Sequence, residues 1–155
     1  VVQNPLPEAI VIHCSDPRFQ NAFGRFVEEE LGLTKGHFIP LVVGGGAGVL
    51  ARPDQLPKEF KFIRDRLEMH RRHFSSIRRV ILINHEDCRY YESLKDRFVG
   101  FLSTRLKGAA NLPREDLTLI TRVFTRLLSH LNVQIELYYA AFADPEQSQV
   151  RFERI

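Results

Sequence analysis

A mostly parallel β-sheet flanked by helices, in a single doubly wound α/β domain spanning residues 1–155, is the fold this sequence predicts. Two observations carry the expectation. Short runs such as Ala9–His13 and Arg79–Asn84 are β-branched and almost uninterrupted in their apolar character, as strands buried on both faces are. Between such runs lie longer segments whose apolar residues recur at helical spacing. A strand, a helix and a returning strand make a parallel crossover, so the expected strand order is 2-1-3-4 with an antiparallel edge strand added.

Taken in order, Ala9–His13 is the first strand. Asp16 is a candidate cap for the helix that follows, and Pro17 suits a first turn, where a missing N–H costs nothing. Phe19, Phe23, Phe26, Val27 and Leu31 form its apolar face, with Gly32 or Gly36 ending it. Phe38–Val43 is the second strand, and Gly44-Gly45-Gly46-Ala47-Gly48 is a tight loop without room for side chains. A helix of about 15 residues after Pro53-Asp54 turns Phe60, Ile63, Leu67 and Phe74 to one side. Arg79–Asn84 is the third strand. Glu92–Lys107 reads as a helix with Leu94, Phe98, Phe101, Leu102 and Leu106 inward, and Pro113 opens another with Leu117, Ile120, Val123, Phe124, Leu127 and Leu131 buried. Val133–Ala140 is the fourth strand, and Gln149–Ile155 returns antiparallel at the edge after the turn at 144–148.

Composition narrows the function classes. With 44% apolar and 26% charged residues the chain is an ordinary globular one. It holds no apolar run near the roughly 18 residues of a membrane span, so no membrane partner is expected. Val1–Pro5 lacks the basic and apolar regions of a signal peptide. Two cysteines make no disulfide framework, which favours a reducing, cytoplasmic setting. The net charge of +3 and the pairs Arg71-Arg72 and Arg78-Arg79 lean basic, but no interleaved aromatics or nucleic-acid module accompany them. Nucleic acid is therefore not an expected partner.

The chemistry concentrates at two strand ends. Cys14-Ser15-Asp16-Pro17-Arg18 follows the first strand, and His85-Glu86-Asp87-Cys88 follows the third. In an open α/β sheet such ends converge on one crevice. Cys14, His85 and Cys88 supply two thiolates and an imidazole, a zinc donor set with one position left for water. Two thiolates cancel the charge of Zn²⁺, so activating a water needs help from neighbouring groups. Asp16 is placed to accept a hydrogen bond from a zinc-bound hydroxide, and Arg18 to grip the carboxylate bidentately and keep it ionised. The amides of Gly44, Gly45 and Gly46 are candidates to receive an anionic product such as bicarbonate. His13, adjoining Cys14, points to the other face of its strand, and Glu86 and Asp87 carry little weight of their own.

The two motifs, in this order, resemble the Cys-x-Asp-x-Arg and His-x-x-Cys signatures of the beta-class carbonic anhydrases, and the glycine loop stands where that family has its own. The resemblance runs from about Ile10 to Ala140. It implies a zinc enzyme interconverting carbon dioxide and bicarbonate, with Cys14, His85 and Cys88 as ligands, an Asp16–Arg18 dyad, and a homodimer or larger assembly. In some members the aspartate matching Asp16 swings onto the metal and closes the site. The chain departs from the family pattern where Asn84 and Arg89 replace glycines around the second motif, and where Arg89-Tyr90-Tyr91 brings bulk to a region of small residues.

Other readings stand beside it. A cysteine phosphatase would place five residues between Cys and Arg, whereas here there are three, and Asp16 would repel phosphate. A zinc-binding protein that has lost carbon dioxide hydration is the reading that Arg89 and Tyr90 keep open, together with a hydrolase of another small electrophile.

Overall fold

The computed structural model describes residues 6–95 and 112–155. The described residues contain a five-stranded sheet in the order β2-β1-β3-β4-β5. Its strands are β1 (Ala9–His13), β2 (Phe38–Val42), β3 (Arg79–His85), β4 (Gln134–Phe142) and β5 (Val150–Arg154). The first four are parallel, with Ala9 opposite Phe38, Ile12 opposite Leu82 and Arg79 opposite Gln134. β5 runs antiparallel to β4, with Tyr139 opposite Glu153. The expected order and edge strand are both present.

Alternation along the strands builds two cores. On one face Ile10, Ile12, Val80, Leu82 and Tyr139 pack against the helices α2 (Pro57–His73) and α4 (Leu112–Leu127). On the other, Ala9, Val11, Ile81, Ile83 and Ala140 pack against Phe19, Phe23, Phe26 and Val27, from α1 (Gln20–Arg25) and the segments beside it. Helices on both faces are what near-continuous apolar strands require. A third, smaller cluster of Cys14, Leu56, Cys88, Tyr91 and Leu112 sits off the carboxyl ends of β1 and β3. No helix among the described residues is long and apolar enough to cross a membrane.

Several boundaries differ from the sequence reading. Asp16 does not cap a helix: α1 begins at Gln20 with Phe19 at its N-cap, and the Asp16 carboxylate instead accepts the Arg18 N–H at 3.0 Å. Beyond α1 the chain widens into a π-helical turn, Phe26–Glu30, where the Leu31 N–H reaches back to the Phe26 carbonyl. That extra residue keeps Phe26 and Val27 buried together, and Gly32 then leaves the helix with φ +68°. α3 spans Arg89–Lys95, starting three residues before the expected Glu92, and the remainder of the helix expected to Lys107 lies outside the described residues. In α4 the stripe holds at Leu117, Ile120, Val123 and Phe124, but Leu127 is 48% exposed and Leu128 is buried in its place. The helix ends there and a 3₁₀ turn, Ser129–Leu131, shifts the register of the last apolar residues.

The glycine loop runs into a 3₁₀ turn, Gly46–Leu50. Gly46 has φ +54°, and a Cβ on it would lie 2.8 Å from the Cys14 nitrogen and 3.2 Å from the Ile83 carbonyl oxygen. Both partners are backbone atoms of the sheet, so neither can give way. Gly46→Ala is expected to cost the roughly 1–3 kcal/mol of a forced left-handed residue plus the overlap itself. A clear fall in the thermal midpoint of the metal-free protein checks this.

Candidate metal centre

The centre is assembled by strand pairing. β1 and β3 are neighbours, and Cys14 follows the end of one while His85 closes the other. The turn after His85 then brings Cys88 back, through Asp87 with φ +51°. Ligand atoms of Cys14, His85 and Cys88 lie within 4.8 Å of one another, and the two sulfurs are 3.8 Å apart. All three residues are buried, at 1%, 1% and 5% exposure. Among the described residues this is the one such group of three.

The imidazole has a defined tautomer. His85 Nδ1 lies 2.7 Å from the Glu86 carbonyl oxygen, which can only accept, so Nδ1 carries the hydrogen and Nε2 carries the lone pair. Nε2 is buried and has no hydrogen-bond partner. A buried acceptor without a partner costs free energy, and a cation between Nε2 and the two sulfurs removes that cost. Phe19 packs its ring 4.2 Å from the imidazole and fixes its plane. The sulfurs tell the same story. The hydrogen bond between the two sulfurs pulls Cys14 below the ordinary thiol range, with His85 adding to the effect. The same contact pushes Cys88 up, and burial adds to it. The two sulfurs thus face each other across the space a divalent cation would take. Soft thiolates and an imidazole are a donor set suited to zinc.

Beside this group the expected dyad is formed. Arg18 Nε donates to Asp16 Oδ1 at 3.1 Å and Nη2 to Oδ2 at 2.8 Å, a bidentate grip. These bonds hold the Asp16 carboxyl below its usual range against the opposing effect of burial. Arg18 also reaches the turn between the proposed ligands: Nη1 donates to Asp87 Oδ2 at 2.7 Å and Nη2 to the Asp87 carbonyl at 2.8 Å. Asp87 is therefore tied to the Asp16–Arg18 pair, a contact that its place in the sequence does not announce. Gln20 adds a further tie, its Nε2 donating to the carbonyls of Cys14 and Asp16 at 2.9 and 2.7 Å. His13 stays apart, with Nδ1 donating to the Cys14 carbonyl and its ring on Phe23. Glu86 turns outward to accept the Phe142 N–H.

The glycine loop lies against the same centre. The Gly46 N–H is already donated to the Val43 carbonyl at 2.9 Å, so it is not available to an anion as the sequence reading expected. Gly44 is covered by the Tyr90 ring so closely that a Cβ would overlap it. The hydroxyl of that tyrosine accepts a hydrogen bond from Ser15 Oγ at 3.2 Å. A cleft of about 410 Å³, lined by Asp16, Pro17, Arg18, Arg89, Tyr90 and Ser93, opens alongside.

A second polar group lies beside the first, and the sequence shows little of it. Asn84 Oδ1 accepts the Gly48 N–H at 3.1 Å, and its Nδ2 donates to the Pro113 carbonyl at 2.8 Å and to the Tyr91 hydroxyl at 3.2 Å. The Tyr91 hydroxyl donates to Asp116 Oδ2 at 2.9 Å, and Arg52 pairs with Asp116 Oδ1 at 2.9 Å. Burial and the nearby Asp116 carboxylate raise the Tyr91 hydroxyl well above its ordinary value, so it stays a donor. Only Asn84, as a polar residue closing an apolar strand, gave any sign of this in advance.

No family model matches this sequence, and no curated protein matches it. Solved structures do. The beta-carbonic anhydrase CafA of the fungal pathogen Aspergillus fumigatus is similar over 97% of this chain and 76% of its own, with a TM-score of 0.53 and 16% identity. The beta-carbonic anhydrase CafD of the same filamentous fungus is similar over 99% of this chain and 91% of its own, with a TM-score of 0.52 and 14% identity. At these identities the likeness is one of architecture, and the chain has a beta-carbonic-anhydrase-like fold.

Proposed function

We propose that this protein is a zinc-dependent catalyst of the reversible hydration of carbon dioxide to bicarbonate. The observation that carries the reading is the buried meeting of Cys14, Cys88 and the unpartnered Nε2 of His85, next to a carboxylate gripped by arginine. Cys14, His85 and Cys88 are the residues that would hold the ion. When bound, zinc supplies a Lewis acid that brings the pKa of a coordinated water towards neutrality.

The remaining work belongs to the chain's own groups. Asp16 accepts three hydrogen bonds from Arg18, two on Oδ1 and one on Oδ2, out of roughly four lone-pair sites on a carboxylate. A lone pair therefore remains on Oδ2 to hold the proton of a reacting water and fix its orientation. Arg18 keeps that carboxylate ionised, so it accepts and does not donate. The amides of Gly44 and Gly45 are the donors proposed for the bicarbonate product. The aromatic wall of Tyr90 limits the room beside them to a small substrate. As a second reading, the bulk of Tyr90 on Gly44 favours a metal-binding relative without turnover.

Three outcomes are expected. The parent protein binds zinc and hydrates carbon dioxide in a stopped-flow assay, whereas Cys88→Ser loses the metal and the hydration together; hydration persisting without zinc would exclude this chemistry. Asp16→Asn keeps its zinc but slows turnover by about 10- to 100-fold, the range seen when a partner of a metal site is removed. Sedimentation gives a mass above the 18.0 kDa of one chain, as the proposed homo-oligomer requires.

A further inference from the structure

The group around Asn84 is absorbed by no step above, yet it touches the segments that carry His85 and Cys88 and the glycine loop beside them. Asn84 immediately precedes His85 in β3. Tyr91 lies three residues after Cys88, in α3, and its N–H caps the Cys88 carbonyl at 3.0 Å. Gly48 belongs to the glycine loop and is packed so tightly under the Tyr91 hydroxyl that a Cβ would overlap it. Asp116 lies in α4 and is 2% exposed, while Asn84 is 2% and Tyr91 6% exposed.

Every polar atom in this chain of contacts has a defined partner. Asn84 uses its carbonyl on Gly48 and its amide on Tyr91 and Pro113; Tyr91 passes its hydrogen to Asp116; Arg52 balances the Asp116 charge. A fully satisfied buried network of this kind fixes one arrangement of the elements it joins, because any shift strands a polar group away from water. The element fixed most directly is the first turn of α3, which begins just after Cys88 and bonds its carbonyl. Cys88 is also the proposed ligand with least backbone support: Cys14 and His85 continue or close sheet strands, whereas Cys88 follows a left-handed residue in a turn.

We infer that Asn84, Tyr91 and Asp116 are positioning residues for the metal centre, holding Cys88 and the glycine loop in register with Cys14 and His85. The inference rests on the metal reading above, though not on turnover. In this arrangement the Tyr91 hydroxyl is the link between α3 and the rest of the network. Removing it leaves the Asn84 amide only Pro113, and leaves Asp116 only Arg52, while the ring continues to fill its place beside Cys14, Cys88 and Leu56.

The test is Co²⁺ titration of the purified full chain, following the thiolate-to-cobalt charge-transfer absorption, with zinc affinity by competition against a chromophoric chelator. Tyr91→Phe is expected to fold with a cooperative melt, to bind zinc about 10- to 100-fold more weakly, and to show an altered cobalt spectrum. Asp116→Asn keeps an oxygen to accept the Tyr91 hydrogen bond but turns its amide NH2 towards Arg52; the ion pair with Arg52 is lost and the Tyr91 contact loses its charge assistance, yet no link to α3 is broken, so it is expected to bind zinc within about threefold of the parent and to fold less stably. Tyr91→Phe with parental affinity and spectrum would overturn the inference and leave the metal reading intact. A Tyr91→Phe chain that does not fold would also overturn it, assigning the hydroxyl to stability alone. A parent protein that takes up neither ion would remove the metal reading, and the positioning role with it.

Discussion

Parallel pairing of β1 with β3, with Ile12 opposite Leu82, is the constraint on which the rest of the site depends. It sets the ends of two strands side by side, so that residues 70 or so positions apart in sequence meet without any long loop to arrange them. Side chains along a strand alternate between faces, and a slip by one residue would turn Cys14 away from His85. The apolar faces prevent that slip, since each side of the sheet has its own core and a shifted strand would exchange the residues between them. The burial that stabilises the fold is thus also what aligns the donor atoms.

Polar groups were then added where the sheet ends, each answering a need left by its neighbour. Arg18 ties the Asp16 turn to the Asp87 turn, and Asn84 with Tyr91 ties α3 to the glycine loop and α4. The first set reaches the turn before Cys88 and the second the helix after it. One lies beside the cleft, at the surface, and the other is wholly enclosed. On the function proposed above, this division would let the outer set take part in chemistry while the inner one keeps the geometry constant.

The architecture was legible because it is written in periodicity. Ile10, Ile12, Val80 and Leu82 alternate with Val11, Ile81 and Ile83, and such strands need cover on both sides. The donor set was legible too, since Cys14, His85 and Cys88 sit where strand ends must meet. What the sequence concealed is what depends on side-chain direction across long separations. Nothing local says that Arg18 will clasp Asp87 as well as Asp16, or that Asp116 will receive the Tyr91 hydroxyl from 25 residues away. Asp16 looked like a helix cap because its type and position allow it; the arginine two residues on competes for the same oxygens and wins, and α1 starts later in consequence. Leu127 continued a stripe that the chain itself interrupts by tightening into a 3₁₀ turn.

Arg18 has a consequence for motion. The resemblance of the two motifs to the beta-class family implies that an aspartate in the place of Asp16 can swing onto the metal and close the site. Here such an excursion would break charge-assisted bonds worth about 1.5–3 kcal/mol each, while the other arm of the guanidinium stayed fastened to Asp87. The arginine would neither follow the carboxylate nor be released into solvent. Were Asp16 to move in that way, the contacts with Asp87 would keep the guanidinium in place to receive the carboxylate back.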